Sequence, residues 1–181
     1  MGPTRLNASW DSPLFLYTHQ EGLHHFPRPI WRLIQADYAA HAFDGEGARL
    51  YGGRWNSPGH AAVYTAGSLA LAALEVLVHL KSRLILSRYL KSWIAFDETW
   101  VTTVAIEDVP LNWRQGRAPV QTQRLGDRGL EAGDTLVLQV PSVIIPEEWN
   151  YVINPLHPQF AETVRGQAKP FQFDPRLSDH S

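Results

Sequence analysis

The sequence predicts a single domain of the mixed α/β (α+β) class, with many short mixed or antiparallel strands and few helices. Three observations carry this. The apolar runs are short and rich in β-branched and aromatic residues, as strands require. Glycine and proline, 13 of each, break the chain throughout. Only Leu69 to Leu80 is both long and apolar enough to be a core-facing helix. At 181 residues and 44% hydrophobic, the chain can bury one sizeable core and is too short for two full domains.

The elements follow in order. Residues 1–29 carry Pro3, Pro13, Pro27 and Pro29 and read as an irregular arm preceding the domain at 30–181. Ile30 to Ile34 is an apolar run holding one charge, Arg32, and reads as a buried strand. Tyr38 to Gly53, with Gly45, Gly47, Gly52 and Gly53, reads as a sharply turning loop leading into Arg54-Trp55-Asn56. Ala61 to Thr65 is a second strand, and Gly67-Ser68 supplies a cap for the helix Leu69–Leu80 that carries Glu75. Trp93 to Phe96 and Trp100 to Ile106 are β-rich, and Pro119 to Leu125 fits a short helix ending before Gly126 and Gly129. Thr135 to Val140 is another strand. Val143 to Ile145 and Tyr151 to Ile153 suit a hairpin, and Pro170 to Leu177 an edge strand.

Composition removes several functions. Sixteen basic against 18 acidic residues give a net charge of −2 with no basic stripe, which argues against direct nucleic-acid binding. There is no cysteine, so disulfides, thiolate nucleophiles and Cys-ligated zinc are excluded. No charged start followed by an apolar run opens the chain, and no run approaches the roughly 20 residues of a membrane span, so a soluble cytoplasmic protein without membrane contact is expected. Asn7-Ala8-Ser9 is then a chance sequon. Phosphate-loop, nucleophile-elbow and His-Glu-x-x-His zinc motifs are absent. Gly45-x-Gly47 lacks the third glycine and the preceding strand of a dinucleotide fingerprint. Adjacent His24 and His25 would point to opposite faces of a strand, and no metal site is expected.

What remains is a series of local strings: Trp31-Arg32; Gly52-Gly53-Arg54-Trp55-Asn56; Val63-Tyr64-Thr65-Ala66 with Ala73-Leu74-Glu75-Val76-Leu77-Val78-His79; Val140-Pro141-Ser142; Asn150-Tyr151-Val152-Ile153-Asn154-Pro155, then His157-Pro158; and Phe173-Asp174-Pro175-Arg176-Leu177. In this order, from about residue 30 to 177, they resemble the RES domain, named for its Arg, Glu and Ser. The resemblance implies a fold like that of ADP-ribosyltransferase toxins. It also implies degradation of NAD⁺ as substrate by hydrolysis or phosphorolysis, with no cofactor, and an Xre-like antitoxin encoded nearby. Transfer of ADP-ribose to a protein, and nucleotide binding without catalysis, are the alternatives.

The residues can be weighed beside that resemblance. Breaking the nicotinamide–ribose bond passes through an oxocarbenium-like sugar, which carboxylates stabilise. Glu75 is the expected catalytic carboxylate: it interrupts an apolar stretch, among Leu71, Ala72, Val78 and His79, although a Glu on an amphipathic helix can equally face water. Arg32 and Arg54 suit a diphosphate through their planar forks, or else form internal salt bridges; Arg54 and Tyr64 are placed with Glu75 in the catalytic set as well as in the substrate-binding one. Tyr64, at the strand-to-helix junction, can stack on nicotinamide or ribose or be a plain core aromatic. Ser142 can hydrogen-bond the carboxamide or a ribose hydroxyl, or simply end a strand; with no neighbouring base it is not read as a nucleophile. Asn154 is placed with the substrate-binding set, although Asn154-Pro155 and His157-Pro158 read foremost as fixing a loop. Asn56 is expected to support the Arg54 loop, and Trp31, Trp55 and Trp149 to pack.

Overall fold

Short apolar runs separated by glycine and proline cannot bury themselves singly, and among the described residues they join with two short exposed edge strands into one eight-stranded mixed sheet. The computed structural model describes residues 29–80 and 83–177, so the expected arm lies outside the described residues except for Pro29. The strands are β1 (Ile30–Gln35), β2 (Val63–Ala66), β3 (Tyr89–Ala95), β4 (Val101–Thr103), β5 (Val137–Pro141), β6 (Trp149–Ile153), β7 (Val164–Arg165) and β8 (Lys169–Pro170). They lie in the order β4-β5-β6-β2-β1-β3-β7, with β8 also on β3. Every pairing is antiparallel except β4 with β5. The mixed α/β class expected from the sequence is the observed one.

Alternation along the strands sorts the core. Leu33, Ala66, Leu138, Val140 and Val152 share one face, covered by the helices α2 (Leu69–His79) and α3 (Val120–Ala132). On the other face Ile30, Val63, Ile94, Val137 and Ile153 pack against Phe43, Trp100 and Phe160 from connecting segments. Among the described residues no helix is long and apolar enough to cross a membrane.

Several boundaries differ from the sequence reading. The glycine-rich stretch Tyr38–Gly53 is more structured than a loop. It holds part of a 3₁₀ turn (Ala36–His41) and the helix α1 (Glu46–Tyr51), which starts after Gly45 at φ 73° with Asp44 Oδ1 accepting from the Glu46 amide at 2.9 Å. α3 runs on past Gly126 and Gly129 to Ala132 because tertiary packing outweighs the helical penalty of glycine. A Cβ on Gly126 would overlap the Trp55 carbonyl, and one on Gly129 would come within 2.7 Å of Leu138 Cδ1. The hairpin is formed by β5 and β6, with Val143–Ile145 lying in the connection rather than forming its first arm. The tail contributes only Lys169–Pro170 as strand; Phe171 and Phe173 instead meet edge to face with centroids 4.8 Å apart, and Phe173 meets Tyr89 in the same way at 5.8 Å.

Candidate active site

Glu75 is positioned by the start of α2. Ser68 caps the helix, its hydroxyl accepting from the Leu71 amide at 3.0 Å, and Leu71 and Ala72 then bury against Leu33 and Ala66. That contact sets the rotation of the helix. Glu75, one turn after Leu71, is left half-buried over the end of the β5–β6 hairpin. Of the neighbours expected to wall it in, Leu71 and Ala72 are buried, whereas Val78 and His79 are exposed. Enclosure comes from the sheet instead. Ser142 Oγ donates to Glu75 Oε1 at 3.1 Å, and Asn150 Nδ2 donates to the same oxygen at 2.5 Å. Among the described residues no hydrogen bond falls on Oε2.

Ser142 is fully buried, and its hydroxyl also accepts from the amides of Ile144 at 3.1 Å and Ile145 at 3.2 Å. One donor and two lone pairs are thereby all engaged. The Ser142 hydroxyl thus supports Glu75, and its hydrogen-bonding sites are taken up within the protein rather than turned toward the substrate contact expected of it.

The Arg54 loop is anchored by a buried polar network. Tyr64 OH donates to Asn56 Oδ1 at 2.7 Å and accepts from the Trp55 amide at 3.0 Å. Asn56, wholly buried, donates Nδ2 to the carbonyls of Ala48 and His60, each at 2.9 Å. Gln123 Nε2 reaches the Gly53 carbonyl at 3.0 Å from α3. Gly53 is a glycine of necessity, because a Cβ would overlap the Tyr64 hydroxyl and lie 2.8 Å from Asn56 Oδ1. Burial pushes the Tyr64 phenol well above its usual range, so it stays neutral and fully committed to this network. Asn56 supports the loop as expected. For Tyr64, only the ring is left to meet a ligand.

Arg54 itself donates Nη1 to the Trp113 carbonyl and Nη2 to the Gln115 carbonyl, the latter at 3.0 Å. Desolvation lowers its pKa, and the charge of Glu75 works in the opposite direction. The two groups thus sense each other without forming an ion pair.

Relatives match this chain over most of its length. The RES domain family model covers residues 29–174. The chain belongs to the RES-domain family. A Yersinia enterocolitica protein named Toxin Res is 40% identical over 150 residues, 82% of this chain and 98% of that one. A Sphingobium protein named Prs ADP-ribosylating toxin is 38% identical over 153 residues, 82% of this chain and 95% of its own. A chain in the crystal structure of the M. tuberculosis MbcT–MbcA toxin–antitoxin complex superimposes with a TM-score of 0.67 at 20% identity, over 83% of this chain and 86% of that one, so the two share a fold.

Within this RES domain Arg32 stands somewhat apart. β1 and β2 share one register pair, Trp31 with Ala66, and beyond it Arg32 Nη1 donates to the Tyr64 carbonyl at 2.8 Å. Strand alternation directs Arg32 away from the face of Trp31 and Leu33 that packs under α2. Its Nε is buried without a hydrogen-bond partner among the described residues. Desolvation lowers its pKa to about 10, partly offset by the Asp44 carboxylate, so it remains a cation at neutral pH. Neither Arg32 nor Arg54 makes a salt bridge among the described residues, so the internal pairing that would explain them away is not found.

Asn154 is not brought to Glu75. It lies just beyond the far end of β6 from Asn150, donates Nδ2 to the Leu130 carbonyl at 3.0 Å and accepts from the Leu156 amide at 3.0 Å. His157, bonded to the Gly133 carbonyl at 2.9 Å, helps tie the same loop to the end of α3. This is the loop-fixing role, and the substrate contact assigned to Asn154 has no support in the geometry. Trp55 is buried, whereas Trp149 is 36% exposed at the sheet end. Asn150 was missed by residue reasoning, although an amide opening the apolar run Tyr151–Ile153 was the available signal. Among the described residues no group of three His, Asp or Glu converges as a metal site would require.

Proposed function

We propose that this RES-domain protein is the toxin of a toxin–antitoxin pair and that it breaks the nicotinamide–ribose bond of NAD⁺ without metal or added cofactor. The observation that carries the reading is Glu75, held through one oxygen by Ser142 and Asn150 with no hydrogen bond on the other among the described residues, within electrostatic reach of an Arg54 that has no carboxylate partner among them. Cleavage of the C1′–N bond sends its electron pair to the pyridinium nitrogen and releases neutral nicotinamide. The oxocarbenium left behind is stabilised by the fixed carboxylate. Water then adds at C1′ and loses a proton to give ADP-ribose, or phosphate adds to give ADP-ribose phosphate. Arg54 suits the diphosphate and the Tyr64 ring an apolar or stacking contact, whereas Arg32, turned to the other face of the sheet, is placed with the diphosphate by the family resemblance alone.

The names of relatives support the toxin half of the proposal, and the toxin–antitoxin assembly of the structural neighbour supports an inhibitory partner, here expected to be an Xre-like antitoxin acting in the cytoplasm. A second reading, mono-ADP-ribosylation of a protein, is favoured by the name of the Sphingobium relative. The discriminating experiment incubates purified protein with NAD⁺ labelled in its ADP-ribose portion, with and without phosphate. Free nicotinamide with label in small molecules supports the first reading, and label on protein the second. NAD⁺ untouched by folded, antitoxin-free protein overturns both.

A further inference from the structure

Asn150 is a polar residue in apolar company. In the β-ladder it stands opposite Ala66 on β2 and Val140 on β5, and two residues along its own strand comes Val152; all three are buried. A leucine or valine would complete that surface. Instead the amide directs an N–H to Glu75 Oε1 and leaves Oδ1 buried with no partner among the described residues. An unsatisfied buried acceptor weakens the fold, so stability alone does not account for an asparagine here.

We propose that Asn150 is a positioning residue that decides which oxygen of Glu75 faces the substrate, and that the fold tolerates its unpaired carbonyl for this reason. The proposal rests on the NAD⁺-cleavage reading above. The terminal torsion of a glutamate is broad, so one hydrogen bond leaves the carboxylate free to turn. Two donors on one oxygen, from Ser142 after β5 and Asn150 on β6, remove that freedom and present Oε2. The amide cannot be turned over without setting Oδ1 against Oε1, acceptor against acceptor, so its orientation is single-valued. Ser142 by itself satisfies Oε1, and Asn150 adds the second direction that fixes the plane.

The test compares wild type with Asn150→Leu, of similar volume without the amide, and Asn150→Asp, of the same shape without the donor. Three quantities are measured on each: urea unfolding, kcat and KM for NAD⁺, and Kd for ADP-ribose by calorimetry. Asn150→Leu should unfold at the same or higher urea concentration than wild type, with kcat reduced by about 10-fold or more, since small displacements of a reacting group have large effects on rate. KM and the ADP-ribose Kd should stay within about twofold, because ground-state binding does not use this contact. Asn150→Asp, which sets a second carboxyl against Oε1 in place of the donor, should lose at least as much kcat. Wild-type kcat in Asn150→Leu, or a lowered urea midpoint, overturns the proposal. Should wild type neither cleave NAD⁺ nor bind ADP-ribose, the functional reading falls; the urea comparison still decides whether Asn150 serves the fold.

Discussion

Removing one oxygen atom from Tyr64 tests the account of the Arg54 loop. Tyr64→Phe keeps the ring and its packing but strands two groups: the Trp55 amide, now without its acceptor, and Asn56 Oδ1, now without its donor. Both residues are buried, Asn56 completely, so water cannot readily replace the hydroxyl. An unsatisfied buried polar group costs about 1–3 kcal/mol, which puts the pair at roughly 2–4 kcal/mol after some relaxation. For a domain of this size each kcal/mol moves Tm by about 2–4 °C, so a drop of about 5–15 °C is expected in a thermal melt. Arg54 sits next to Trp55, so NAD⁺ binding should weaken together with stability, and KM should rise more than kcat falls. A Tyr64→Phe protein that melts with wild type would refute the network reasoning. One that melts early while keeping wild-type KM would refute the link from network to Arg54.

Glu75→Gln removes the charge but keeps the shape, and should lower kcat by about 10²- to 10³-fold while leaving the Kd for ADP-ribose nearly unchanged; steady-state kinetics with calorimetry reads both, and wild-type turnover would remove Glu75 from the mechanism. Arg54→Ala should raise KM for NAD⁺, and Arg54→Lys should not restore it, because a single ammonium cannot reproduce the planar fork that spans the carbonyls of Trp113 and Gln115. A full rescue by lysine would contradict this. His60 links the loop to α3, with Nε2 2.8 Å from Glu131 Oε1 and Nδ1 3.4 Å from Asp127 Oδ1, and the Glu131 contact raises its pKa above the ordinary 6.5. The folded state therefore binds this proton more tightly than the unfolded chain. The stabilisation is complete below 6.5 and is lost as pH rises through the raised folded value. Urea midpoints at about pH 5.5 and about pH 8.5 should differ in that direction for wild type and less so for His60→Gln; an identical difference in both proteins would exclude His60 as the source.

Much of this molecule was legible in one dimension. Ile30 to Ile34 and Ala61 to Thr65 announced β1 and β2 by their β-branched and apolar runs, and Ser68 announced the start of α2, because strand alternation and helix capping depend on residues close in sequence. Glu75 stood out as a charge in an apolar helix for the same reason. The misses share another cause. α3 crosses two glycines that local propensity treats as stops, and those glycines are needed because Trp55 and Leu138, distant in sequence, press against them. Ser142 and Asn154 are both polar residues at strand ends and both stand in the substrate-binding set, Asn154 foremost as a residue that fixes a loop. Only the folding of the β5–β6 hairpin under α2 engages every hydrogen-bonding site of the Ser142 hydroxyl and carries Asn154 to the opposite end of β6. Asn150 offers only a local hint, an amide at the head of an apolar run, because its partner is the carboxylate 75 residues away in the chain. The sequence by itself determined several of the strands and the capped helix, and it singled out Glu75 as the candidate carboxylate, since those follow from near-neighbour sterics and solvation. The tertiary structure decided which polar groups converge on that carboxylate and which are used up in holding loops, because hydrogen-bond capacity is allotted between residues that meet only when the sheet closes.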